Sequence, residues 1–167
     1  PVERNFLELK NIKNLKSNPI KQNKFVIKKI EPNFQLNKFF YKQVGKNHRW
    51  IDRLSWTDEK WINFISNQNL ETYIISVSND LAGFFELLHN PELEETEISY
   101  FGLLEDYIGK GIGGYALSEA IKKSFVEFSV LIATNSACFM YLQAYSKFFI
   151  TDSKECSFKI SSSSLAK

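Results

Sequence analysis

Between residues 71 and 104 three strand-like runs are separated by turn chemistry, and this stretch restricts the fold more than any other. ETYIISV stops at Ser78, Asn79 and Asp80, LAGFFELLH stops at Asn90 and Pro91, and TEISYFGLL runs into a cluster of glycines. Short apolar runs bounded by Asn, Asp, Ser and Pro read as a meander of antiparallel strands. From Gly111 the period changes: Leu117, Ala120, Ile121 and Phe125 recur at helical spacing. A helix therefore leaves the last strand of the meander.

The flanking segments carry their own stop and start signals. KFVIKKIEP reads as a strand halted at Pro32, and NFQLNKFFYKQVG as a helix beginning near Asn33 and ending at Gly45, a favourable helix-terminating residue. A second helix is expected from Thr57, an N-cap followed by Asp58 and Glu59, whose charges suit the positive helix end. Between these helices lies the aromatic and cationic loop KNHRWIDRLSW. A further strand is expected near 126–133. The fold class is α+β: one domain over residues 1–167, with a mostly antiparallel twisted sheet flanked by helices.

Composition excludes several classes. The 167 residues are 44% hydrophobic and 24% charged, which supports a packed core and not a disordered chain. Lys and Arg outnumber Asp and Glu eight to three over residues 1–31, trail them seven to thirteen over 32–120, and lead six to three over 121–167, giving +5, −6 and +3. The basic first block reads as a solvated lysine-rich face, because its aromatics do not interleave with arginine as stacking platforms would, and no nucleic-acid binding is expected. Cys138 and Cys156 are too few for a disulfide framework and read as free thiols. No segment approaches the roughly 18 apolar residues of a membrane span, so no membrane association and a cytoplasmic location are expected. His48 and His89 stand alone with no Cys partner nearby, so no metal site is expected.

Four glycines, Gly109, Gly111, Gly113 and Gly114, fall within six positions ahead of the helix. A helix start offers unpaired N–H groups and the positive dipole end, and bare glycine backbone lets a phosphate approach them. The Walker A spacing is absent. Gly109, Gly111 and Gly114 do satisfy G-x-G-x-x-G, which keeps a dinucleotide-binding domain as a minor alternative. It fits poorly because EDYI intervenes after the strand and a meander precedes it.

The segment IGKGIG, 108–113, resembles the cofactor turn of the GNAT superfamily of acetyl-CoA-dependent N-acyltransferases, Gln/Arg-x-x-Gly-x-Gly/Ala, with Gly111 and Gly113 in the glycine positions and Ile108 where Gln or Arg is usual. EISYFGLLEDYIGKGIGGYAL is similar to a bacterial subfamily of these enzymes, and the likeness is strongest within residues 24–125. The resemblance implies acetyl-CoA as acyl donor, with the backbone of Phe101 and Leu103 on its pantetheine, and a bulge or close approach at Gly102. It places Ile108, Gly109, Lys110, Gly111, Ile112, Gly113 and Gly114 at the pyrophosphate, the Ile108 position through its backbone N–H. It also implies Glu97 as general base, in line with Ser99, Phe101 and Leu103 on one strand face, and Trp50 and Arg53 at the acceptor pocket. After Phe125 the likeness fades. Asn135 is implied at the cofactor, and Tyr141 and Tyr145 are the candidate general acids, though neither has the family spacing from Asn135, and the tail TDSKECSFKISSSSLAK reads unlike the closing strands of such a domain. The implied function is acetyl transfer to a primary amine of a small molecule or peptide. A catalytically weak acyl-CoA-binding or sensor domain is the alternative, and a homodimer is left open.

Overall fold

The structure is a computed structural model that describes residues 4–18, 25–93, 95–127, 131–133 and 155–160. Its strands are β1 (Arg4–Leu9), β2 (Phe25–Ile30), β3 (Leu70–Val77), β4 (Asp80–Asn90), β5 (Glu95–Leu103), β6 (Leu131–Ala133) and β7 (Glu155–Ile160). Its helices are α1 (Phe34–Gly45), α2 (Asp58–Ile65) and α3 (Ile112–Glu127). One sheet joins the strands in the order β1-β7-β6-β5-β4-β3-β2; β3 to β5 form the expected antiparallel meander, and β2 pairs antiparallel with β3.

The local signals act as the sequence implies. The Asn33 side chain accepts from the Leu36 N–H at 3.0 Å and Thr57 caps α2 by accepting from the Lys60 N–H. Ser78 and Asn79, at φ 52° and 75°, form the two-residue turn between β3 and β4, where both central residues must be left-handed. Gly45 differs. It closes α1 without a left-handed cap; a Cβ there would stand 2.5 Å from the Trp50 Cβ, so the position is bare to let the indole pack.

Two apolar clusters lie on opposite faces of the sheet. On one, Ile112, Ala116, Ala120 and Ile121 of α3 cover Tyr73, Ile75, Phe85, Leu87, Ile98, Phe101 and Leu103. The two alanines, one turn apart and wholly buried, bring the helix axis close to the strands. On the other, Phe40, Tyr41 and Val44 of α1 and Trp61 and Ile65 of α2 cover Ile74, Phe84 and Tyr100, with Trp50 buried among them. Phe40 stacks on Phe84 at 5.0 Å.

Several expectations are corrected. Residues 4–9, read as part of a solvated arm, form an edge strand that pairs with β7 and β6. The strand expected near 126–133 is only β6, because α3 runs on to Glu127. The tail contributes β7 to the sheet, against the expectation of an unfamiliar closing segment. Among the described residues no helix is long and apolar enough to cross a membrane.

Candidate active site

The catalytic geometry begins with a register shift. Glu86 pairs with Tyr100 but Leu87 pairs with Ile98, so Ser99 is the extra residue of a β-bulge in β5. Of the bulge or close approach expected at Gly102, the close approach is what stands there: a Cβ would lie 2.2 Å from Val44 Cγ1, and the bare backbone seats α1 on the strand. The extra residue also changes which side chains share a face. Ile98, Phe101 and Leu103 all pack towards α3, so Ser99 and Tyr100, the two residues between the first pair, turn the other way. Glu97, opposite Leu88, lies on the face of α1 and α2 with Tyr100. The expected alignment of Glu97 with Phe101 and Leu103 is therefore wrong, while that with Ser99 holds. Glu97 is half-buried.

The backbone of β5 is directed by its end. Leu104 N–H donates to the Ala82 carbonyl at 2.8 Å. Alternation then turns the backbone groups of Leu103 and Phe101 away from β4, towards the side of the sheet where β6 lies. The β5–β6 register runs from Thr96↔Leu131 to Ile98↔Ala133, ending beside the bulge.

After β5 a turn of 3-10 helix, Glu105–Tyr107, leads into the glycines. Gly109 and Gly111 have φ of 76° and 74°, and nothing lies within 4 Å of a Cβ placed on either. Left-handed backbone in open space accounts for glycine here: conformation demands it, and the exposed turn presents bare amides at the head of α3. Ile108 departs from the expectation. Its N–H donates to the Glu105 carbonyl at 3.2 Å, closing the 3-10 turn, so the anion-facing donors are those that follow it. Lys110 is exposed and its ammonium lies 5.2 Å from the Tyr107 ring centroid. Ile112 buries its side chain in the core and can offer only backbone. Gly113 and Gly114 form the first turn of α3.

Trp50 and Arg53, expected at the acceptor pocket, are interior side chains. Arg53 is 5% exposed, pairs with Glu86 Oε2 at 2.9 Å, and lies over the rings of Phe64 and Tyr100 at 4.0 and 4.1 Å, with Trp56, Trp61 and Tyr41 around it. Glu86, wholly buried, accepts a second bond from Asn37 Nδ2, which also donates to Thr72. The same loop presents Asp52, which the sequence reading did not single out. Tyr41 and Tyr100 both donate to its carboxylate, at 2.8 and 2.5 Å. Burial pushes both phenols well above their ordinary value near 10, so they stay protonated donors. The signal available in sequence was only the aromatic density around one acid.

Across the sheet, His89 was expected to stand alone but lies between Thr96 Oγ1, at 2.8 Å, and Glu71 Oε2, at 3.6 Å. Lys29 and Tyr73 also bind Glu71. His89, then Lys29 and Tyr73, hold the Glu71 carboxyl at about 2 against the opposing effect of burial. A carboxylate so depressed stabilises the fold fully above its ordinary 4.5, and that contribution is lost as pH falls from there towards 2. Urea midpoints measured across this interval are expected to fall less for Glu71→Gln than for the unmodified protein; parallel curves would mean Glu71 is not ion-paired. Among the described residues no group of three or more His, Cys, Asp or Glu could hold a metal. Asn135, Tyr141 and Tyr145 lie outside the described residues.

The site thus sets a bulged strand beside a glycine turn at a helix head, in a seven-stranded mixed sheet. The family profile described as acetyltransferase (GNAT) family matches residues 33–143, and the chain belongs to that family. The match continues past Phe125, against the expectation that the likeness fades there. Among solved structures, the chain is similar to PaiA N-acetyltransferase from Thermoplasma acidophilum in complex with coenzyme A, at 21% identity, covering 82% of this chain and 98% of that one with a TM-score of 0.59. A GNAT family acetyltransferase from Elizabethkingia anophelis with acetyl-CoA bound is 19% identical, with coverages of 84% and 99% and a TM-score of 0.56. A dodecameric spermidine N-acetyltransferase from Vibrio cholerae is 12% identical, with coverages of 81% and 91% and a TM-score of 0.56. No curated protein sequence matches the chain.

Proposed function

We propose that this single-domain protein transfers an acetyl group from acetyl-CoA directly to a primary amine of a small molecule or peptide. The observation that carries the reading is the exposed left-handed backbone of Gly109 and Gly111 at the head of α3, a surface suited to a pyrophosphate. The amides from Gly109 to Gly114 hold that group and Lys110 adds charge at the surface. The backbones of Phe101 and Leu103 orient the pantetheine arm, whose bound thioester supplies the activated acyl carbon. Glu97, beside the bulge, takes the proton that the attacking amine loses, directly or through water. Structural neighbours with coenzyme A and with acetyl-CoA bound, and a spermidine N-acetyltransferase of the same fold, support the donor and the acceptor class. Trp50 and Arg53 shape the acceptor side from behind by fixing the loop that carries Asp52. Asn135, Tyr141 and Tyr145 are retained as candidates for cofactor contact and thiolate protonation. A cytoplasmic monomer or homodimer fits this activity.

Calorimetry with coenzyme A, acetyl-CoA and NAD tests the cofactor, with binding expected for the first two only. Gly111→Val is expected to weaken coenzyme A about tenfold or more. It is also expected to cost roughly 1–2 kcal/mol of stability, because a β-branched residue resists a left-handed φ. Unchanged affinity would place the pyrophosphate elsewhere. Thiol release from acetyl-CoA across an amine panel separates turnover from the alternative of binding without reaction.

A further inference from the structure

The loop between α1 and α2 carries a carboxylate that two buried phenols hold in place. Asp52 is exposed, yet its two oxygens are oriented from behind by the buried hydroxyls of Tyr41 and Tyr100. Phenols are neutral donors, so they aim the carboxylate without cancelling its charge. Among the described residues no Lys, Arg or His nitrogen comes within the 4.0 Å of an ion pair with it, and Arg53, next in sequence, is committed to Glu86. Its near neighbours Ile51 and Leu54 are 71% and 53% exposed. The loop thus presents a fixed negative charge beside an apolar surface.

Tyr100 also locates that charge. It follows the bulge residue Ser99 and shares its sheet face with Glu97, so Asp52 sits one tyrosine side chain away from the backbone at the bulge. The nitrogen that attacks the acyl carbon must be neutral, whereas a carboxylate of this kind selects a cation. One nitrogen cannot meet both demands at once. An acceptor with two amines can: one loses its proton near Glu97 and reacts, and the other stays charged. We infer that Asp52 anchors the non-reacting ammonium of a diamine acceptor, whose aliphatic spacer lies along Ile51 and Leu54. This inference rests on the acetyltransferase reading and narrows its substrate class.

The test compares α,ω-diaminoalkanes with n-alkylamines of equal length as acceptors, by thiol release, in the unmodified protein, Asp52→Asn and Asp52→Ser. Asparagine keeps the shape of the carboxylate, and serine leaves a small acceptor for the phenols should asparagine fail to fold; calorimetry with coenzyme A verifies folding of each. The unmodified protein is expected to favour diamines by about tenfold or more in kcat/KM, a preference that weakens as salt rises. Both variants are expected to lose it through a higher KM for diamines, with kcat and coenzyme A affinity little changed. Equal use of mono- and diamines by the unmodified protein overturns the inference, as does a variant that keeps the preference. A variant that loses both acceptors equally also overturns it, since Asp52 would then only clamp the two tyrosines. Absence of thiol release with every amine overturns the acetyltransferase reading itself, and the anchor with it.

Discussion

Replacing Arg53 with alanine is expected to cost about 3–5 kcal/mol, because it strands Glu86 as an uncompensated charge in a wholly buried position. Asn37 still donates to Glu86 Oε1, but an amide supplies no charge to balance the carboxylate. Against a total stability of about 5–15 kcal/mol the loss is large. For a chain of this size it lowers Tm by on the order of 10 °C. Arg53→Lys is expected to recover little, since the flat guanidinium is packed among five aromatic rings and lysine offers a point charge in its place. Converting both partners, Arg53→Met with Glu86→Leu, is expected to restore most of the loss by removing the charge together with its counterion. Thermal unfolding of the four proteins checks the series. A cost below about 1 kcal/mol for the alanine variant is the behaviour of a solvated pair and would contradict the burial.

The second large effect concerns chemistry. Glu97→Gln is expected to lower kcat by about 10²-fold or more while coenzyme A affinity stays nearly constant, because the substitution removes a proton acceptor and leaves the glycine turn untouched. The acid limb of the pH–rate profile is expected to flatten or move, since the titrating group is gone. Stopped-time thiol release over a pH series, with calorimetry for the cofactor, provides both readouts. A rate within about threefold of the unmodified protein, worth under roughly 1 kcal/mol of barrier, would remove Glu97 from the role of general base. The bulge gives this prediction a second edge: Phe101 faces α3, so an effect of its side chain on kcat would have to act through packing.

Much of the architecture was legible because it depends on nearest neighbours. Asn33 and Thr57 cap helices through their own side chains, Ser78 and Asn79 tolerate the left-handed turn, and the glycines at 109 and 111 are needed by local φ wherever the rest of the chain lies. Hydrophobic period separated the meander from α3 for the same reason: it records which face of each element is covered. The glycine turn ahead of α3 belongs to this class, because its left-handed backbone is a local demand.

What depended on pairing was not legible. A strand with ordinary alternation carries no sign of where its partner's register slips, so the bulge at Ser99, and with it the face on which Glu97 stands, came only from β4 lying beside β5. Arg53 reads as an acceptor-pocket cation until Glu86 and the rings of two helices and a strand close around it, because burial of a charge is decided by partners distant in sequence. Gly45 reads as a helix terminator and Gly102 as a bulge or close approach, and what each one's bare backbone admits, Trp50 and Val44, is known only from the packing. The edge strand at 4–9 has too little alternation to announce itself, and its pairing comes from β6 and β7, more than a hundred residues away. Local conformational energy in the sequence settles the meander, the three helices, the caps of α1 and α2 and the left-handed glycine turn. The tertiary structure alone decided which side chains meet at the bulge, which charges are buried, and that Asp52 faces outwards between two tyrosines, since those depend on contacts the chain makes only when folded.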